Sequence, residues 1–313
     1  MGLLGLALLL KVGLAPKGMA ASALNSIGRA SSFVASTVKP PDSAPVAVSA
    51  ADLPGGMAPG TCIDYSPTGT DRHLTVFIDP GHGGPDPGGV GIGLQEKDVT
   101  LAVGLKLRER LRADGFHVVM SRVTDTSVAK LADDQVVNGA ITDTGAHIDT
   151  VARIDCANSS GAQALVAIHF NAFSDPSASG SETFYDDVRG FSSASLRLAN
   201  DLDSSLQSSF TASGWQVYDR GVLSDADTGA SGLTAAADAY GRLMEIGPAQ
   251  SGWNNHPTTM PGALVEPLFL TAPAEAAVAG SQSGQNTIAA GLEQGLLAYF
   301  APPPSPSPSP SPR

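Results

Sequence analysis

Apolar and polar positions alternate between two periods along the chain, and the first clear signal is Leu74–Ile78 (LTVFI). This short apolar run closed by Asp-Pro-Gly predicts a buried strand feeding a loop. After Asp98, which offers an N-cap, Val99, Val103, Leu107 and Leu111 recur at four-residue spacing with Arg and Glu on the other face, so a helix is expected until Gly115. Phe116–Ser121 (FHVVMS) follows as a second strand. Strand, loop, helix and strand in that order make the crossover unit of parallel sheets, and the fold class is α/β. Further strands are predicted at Gln163–Ile168, Glu182–Tyr185, Tyr240–Ile246 and Ala263–Glu266, and helices at Ser192–Phe210 and Asn286–Phe300. Two long polar connections, Asp125–Ala152 and Asp219–Ala239, exceed simple turns and suit the edges of a cleft.

The chain's 313 residues suffice for one main catalytic-size domain with tails. We divide it into a hydrophobic N-terminal segment (1–30), an Ala/Ser/Pro/Gly linker (31–72), the domain proper (73–301) and a Pro-Ser tail (302–313) that favours extended polyproline II. The apolar stretch to Leu10 is shorter than a membrane span and lacks a basic start; it is read as an export or membrane-associating segment, against the plainer reading of an apolar tail. A formal charge of −12 leaves no broad basic surface for phosphates, which argues against nucleic acid as the partner. Cys62 and Cys156 are the two cysteines, and a disulfide and two separate buried thiols both remain open.

The glycine-rich stretch Thr75–Val103 (TVFIDPGHGGPDPGGVGIGLQEKDVTLAV) carries the candidate chemistry. It lacks the Gly-Lys-Ser/Thr ending of a phosphate loop, and Gly89, Gly91 and Leu94 miss the last glycine of a dinucleotide fingerprint. What remains is His82 at the end of one strand and Glu96 just before a helix, in backbone that glycine lets bend sharply. Of the other histidines, His73, His117, His147, His169 and His256, only His169 directly follows a buried strand. In a parallel sheet His82 and His169 share one edge. Two imidazoles and a carboxylate with an open fourth position form a catalytic zinc arrangement.

The segments FIDPGHGGPDPGG…GLQEKDVTL, ALVAIHFNA and PGALVEPLFLTAPAEA resemble the signature blocks of zinc-dependent N-acetylmuramoyl-L-alanine amidases of the amidase-3 family, and the similarity covers Leu74–Phe300. The resemblance implies a single α/β domain, with a mixed, mostly parallel central sheet flanked by helices on both faces. It implies Zn2+ on His82, Glu96 and His169, Glu266 as the catalytic carboxylate, and peptidoglycan as the substrate. A secreted or cell-envelope location and a monomer are the accompanying expectations.

Glu266 ends an apolar strand, and Glu245 in LMEIG is a rival for its role. Asp79 and Asn171 flank the histidines as orienting groups or as turn caps. Arg122 is expected to end its strand at the surface, with a stem-peptide carboxylate as an alternative partner. His147 is a further ligand candidate. The rival functions are a binding module that has lost catalysis and a zinc metallopeptidase acting on another amide. With no Gly-x-Ser-x-Gly elbow, a nucleophilic hydrolase is unsupported.

Overall fold

A computed structural model of the chain describes residues 43–48, 53, 55–228 and 234–302. Segment 1–30 and the tail beyond residue 302 lie outside the described residues. The strands are β1 Ser43–Pro45, β2 Ile63–Tyr65, β3 Thr75–Pro80, β4 Val90–Gly91, β5 Leu94–Gln95, β6 His117–Met120, β7 Val136–Val137, β8 Ala140–Ile141, β9 Ala164–Ile168, β10 Ser181–Tyr185, β11 Asp219–Ser224 and β12 Gly262–Glu266. The helices are α1 Glu96–Ala113, α2 Asp143–Ser159, α3 Ser192–Ala212, α4 Ala235–Tyr240, α5 Pro273–Ala279 and α6 Gln282–Phe300.

Eight strands form one sheet in the order β1-β2-β6-β3-β9-β12-β10-β11, while β4-β5 and β7-β8 are small separate ribbons. The centre is parallel: β3 pairs with β6 and β9, and β9 with β12. The β12–β10 pair is antiparallel, so β10 begins at the edge where β12 ends. Val76, Phe77 and Ile78 are all fully buried, because successive side chains of a strand face opposite layers and both layers are covered here. Val76 and Ile78 join Val99, Leu107, Leu202 and Leu292 of α1, α3 and α6 on one face. Phe77 and Leu165 join Cys156 and Ala157 of α2, with Ile246 and Met260, on the other.

Several expectations change. Residues 31–72 contain β1 and β2, and β2 pairs with β6, so the sheet begins below residue 73. Helix α1 starts at Glu96 with Gln95 at its N-cap, which leaves Asp98 in the first turn, where a carboxylate opposes the helix dipole. Tyr240–Ile246 is not a strand: Gly241 turns left-handed (φ 61°) after α4, and the Tyr240 hydroxyl donates to the Pro248 carbonyl at 2.7 Å, folding the run into turns. The connection from Asp125 holds the β7–β8 ribbon and the first half of α2, and that from Asp219 holds β11. Cys62 and Cys156 are joined in a disulfide that ties the entry to β2 onto α2. Among the described residues, no helix is long and apolar enough to cross a membrane.

Candidate metal centre

Three elements deliver the candidate ligands to one point. β3 ends at Pro80 and releases His82 into the glycine loop, β9 ends at Ile168 and is followed by His169, and Glu96 is the first residue of α1. His82 Nε2 lies 3.1 Å and His169 Nδ1 3.0 Å from the same Glu96 oxygen, Oε1, with the two rings edge to face at 4.9 Å. Glu96 is itself pinned, since its Oε1 accepts from the Phe170 amide at 2.9 Å and its Oε2 from the Gly89 amide at 2.7 Å. The carboxyl is buried, which opposes its charge, but His82 and His169 hold its pKa well below the usual carboxylate range.

The glycines answer to space. A Cβ on Gly88, whose φ is +65°, would lie 2.5 Å from the His82 ring and 2.7 Å from Glu96 Oε2, and one on Gly81 would lie 2.4 Å from the His169 ring. The loop backbone therefore packs directly against all three side chains. His82 itself has φ 61°, a conformation that costs a non-glycine residue and that the surroundings must enforce.

Two buried guanidiniums enforce it. Arg122, expected at the surface, is fully buried; it donates to the carbonyls of Pro80 and Gly81 at 2.9 Å and of Lys97 at 2.7 Å. Burial lowers its pKa to about 10, with Arg153 adding to the effect, and the group stays charged. Arg153 of α2 donates to the His82 carbonyl at 2.6 Å and pairs with Asp79 at 2.7 Å and Asp149 at 2.9 Å. A buried charge with its donors filled is tolerable, and removing a partner is not. Burial opposes the Asp79 charge, but Arg153 holds its pKa down to about 2.

Asp79 thus bonds Ser121 and Arg153, and the Asn171 amide bonds Glu182 at 2.7 Å; neither is hydrogen-bonded to a histidine. The residue that orients His82 is Asp86, whose Oδ2 lies 2.7 Å from Nδ1. Asp86 is not among the candidate residues expected from the sequence. The signal was present: Asp86 stands four residues after His82, but Asp-Pro reads first as a turn. His147 packs against Trp253 at 4.2 Å and, among the described residues, is in no metal-capable group.

Glu266, the last residue of β12, is 2% exposed, and its Oε2 is buried without a hydrogen-bond partner. Burial first, then the charges of Glu96 and Glu182, raise its pKa well above the usual value. Glu245 lies on the other side of His169. It forms a second tight group with Asp79 and His169, on the side where Arg153 enters, and burial and Asp79 raise its pKa. The donor set of two imidazoles and one carboxylate, with the buried, unpartnered Oε2 of Glu266 nearby, suits a divalent ion with one position left for water.

The fold and this cluster define an α/β protein with a candidate metal centre at the C-terminal edge of its parallel strands, the edge where such sheets hold their ligands. Residues 76–298 match the amidase-3 family, described as N-acetylmuramoyl-L-alanine amidase, and the chain belongs to that family. It is 29% identical to a germination-specific N-acetylmuramoyl-L-alanine amidase of Bacillus subtilis, over 72% of this chain and 79% of that one. It is 28% identical to the amidase AmiA of Salmonella typhimurium, over 74% and 78%. The crystal structure of an N-acetylmuramoyl-L-alanine amidase from Clostridium difficile 630 superposes with a TM-score of 0.51 at 29% identity, covering 72% of this chain and 96% of that one.

Proposed function

We propose that this chain is a zinc-dependent N-acetylmuramoyl-L-alanine amidase that hydrolyses the bond between the lactyl group of N-acetylmuramic acid and the first L-alanine of the peptidoglycan stem. The observation that carries the reading is the convergence of His82 and His169 on Glu96, at the sheet edge where Glu266 ends β12, in a chain of the amidase-3 family. His82, Glu96 and His169 would hold the ion. When bound, zinc supplies Lewis acidity and brings the pKa of its water toward about 7.

The remaining chemistry belongs to the protein. Asp86 accepts a hydrogen bond from Nδ1–H of His82, which leaves Nε2 as the lone-pair donor facing Glu96, the usual tautomer control of a ligating histidine. Glu266 takes the proton of the attacking water at Oε2 and returns it to the departing alanine nitrogen. The lone pairs of Glu96 that face its backbone donors keep that carboxylate from swinging into the proton-transfer position.

The Cys62–Cys156 disulfide supports an extracytoplasmic location, because such bonds persist in oxidising compartments. Release of dye from labelled peptidoglycan, with and without chelator, tests the reading. Mass spectrometry of the products must find a free muramic lactyl carboxylate. Cleavage at another amide would make the protein a different metallopeptidase, and binding without release would make it a module that has lost catalysis.

A further inference from the structure

The sheet edge that carries the metal centre continues past Glu266. Glu182 on β10 is paired across the ladder with Glu266, and the next strand, β11, runs parallel to β10. His82, His169, Glu266, Glu182 and Arg220 therefore follow one another along a single edge, in the strand order β3-β9-β12-β10-β11. Ser181 pairs with Asp219 but Glu182 pairs with Gly221, so Arg220 is the extra residue of a bulge between β10 and β11. Bulges are uncommon between parallel strands, and they re-aim a side chain beside active sites. This one turns Arg220 inward along the edge: Nε donates to Glu182 Oε2 at 2.6 Å and Nη1 to the Ser179 carbonyl at 3.3 Å, with the guanidinium over the Phe269 ring at 5.3 Å.

Three features separate Arg220 from the other cations near the site. Its side chain is one-quarter exposed, and Nη2 has no protein hydrogen bond among the described residues. Arg122 and Arg153 are buried and spent on loop carbonyls and carboxylates, and Lys97 is held by the Gly84 carbonyl and Asp125. The rest of the edge is acidic, with Glu96, Glu182 and Glu266 on it, so a negatively charged group bound there needs a cation of its own.

We propose that the bulged Arg220 is the specificity-determining residue for the stem peptide, its free Nη2 binding the α-carboxylate of the second stem residue while Glu182 and the Phe269 ring hold the guanidinium in place. The spacing agrees. Arg220 stands two strands from Glu266, about 10 Å at a strand separation of about 4.8 Å. Two extended residues carry the chain about 7 Å from the scissile carbonyl, which an arginine side chain completes. A planar guanidinium with one edge already fixed is pre-organised for a carboxylate and discriminates against a carboxamide.

This inference rests on the amidase reading for its substrate, and the test keeps the two apart. N-acetylmuramoyl-L-alanyl-D-isoglutamate and the corresponding isoglutamine differ only in that carboxylate. With zinc-loaded full-length protein we expect kcat/KM to favour the acid by about ten- to a hundredfold, mostly through KM, as a charge-assisted hydrogen bond allows. Arg220→Gln should collapse that ratio to near one. So should the Glu182→Gln/Arg220→Gln pair, which leaves no buried carboxylate unpaired, while Arg220→Lys should keep part of it. Equal kcat/KM for the two substrates in the wild type, or a loss in Arg220→Gln that scales both equally, overturns the proposal and leaves the amidase reading intact. Calorimetric affinities in Glu266→Gln protein read the same ratio without turnover. Preferential binding of the acid by a protein that cuts neither substrate would keep this subsite and remove the amidase reading; no preference there removes the subsite as well.

Discussion

Asp86 Oδ2 lies 2.7 Å from Nδ1 of His82, on the opposite side of the ring from Glu96. This contact decides which nitrogen of His82 carries the proton. It also raises the His82 pKa: burial disfavours the charged ring, but Glu96 and Asp86 together outweigh burial. Loss of such an orienting carboxylate typically weakens metal affinity by about 10- to 100-fold. Asp86→Ala is therefore expected to bind zinc more weakly in competition with a chromophoric chelator, and to recover most of its turnover when zinc is in excess. A variant with wild-type affinity would leave Asp86 a turn residue only.

Glu266 offers a different signature. Its Oε2 bonds no protein group, so Glu266→Gln removes no hydrogen bond made by that atom, and the fold and the zinc content should be unchanged. Turnover should fall by about 10²- to 10⁴-fold, the usual worth of a positioned general base. Metal analysis and dye release on the same sample check both halves. Retained activity would pass the role to another group, with Glu245, buried with Asp79 and His169, the first rival.

The parts of this architecture that the sequence makes legible are those where one local pattern has one reading. LTVFI, QALVAI and ALVE are mostly apolar because β3, β9 and β12 are covered on both faces, and their ends place His82, His169 and Glu266 on one edge. The misreadings have long-range causes. Arg122 looks like a surface residue, yet the Pro80, Gly81 and Lys97 carbonyls that draw it inward lie 25 to 42 residues back in the chain, so little nearby announces its burial. YGRLMEI has a strand's composition but is diverted by Gly241 and by Arg242, which pairs with Asp186, Asp187 and Asp225. β2 is three residues long and exists by pairing with β6, which no three-residue pattern foretells.

The disulfide should carry a large share of stability. Cys62 and Cys156 are 94 residues apart, and in the chain-entropy model closing a loop of that length is worth about 4 to 5 kcal/mol. Both sulfur-bearing residues are buried in the cluster between the sheet and α2, so the bond also ties the entry to β2 onto the helix that covers this sheet face. The Cys62→Ser/Cys156→Ser pair is expected to melt about 8 to 20 °C lower by scanning calorimetry, at about 2 to 4 °C per kcal/mol for a domain of this size. Reduced wild-type protein should match it. A shift of only a few degrees would mean that the packing of α2 on Phe77 and Leu165 suffices without the cross-link.

Asp203 gives the stability a pH dependence whose sign can be worked out. It lies on α3 at 7% exposure, with Oδ1 buried and unpartnered. Burial, and then the like charge of Asp219 on β11, raise its pKa from 3.8 to about 6. For a carboxyl whose pKa is higher folded than unfolded, the fold favours the protonated form. Below pH 3.8 both states are protonated and the group is neutral to stability; between 3.8 and 6 folding takes up a proton; above 6 the folded protein bears the full penalty of a buried charge. Asp203→Asn removes that penalty, so it should be more stable than wild type near pH 8 by about 1 to 2 kcal/mol after solvent screening is allowed for, and should converge with it near pH 4. Urea midpoints of the two proteins at both pH values measure the difference. A variant that loses stability near pH 8 would show that the fold stabilises the Asp203 charge, reversing the sign argued here.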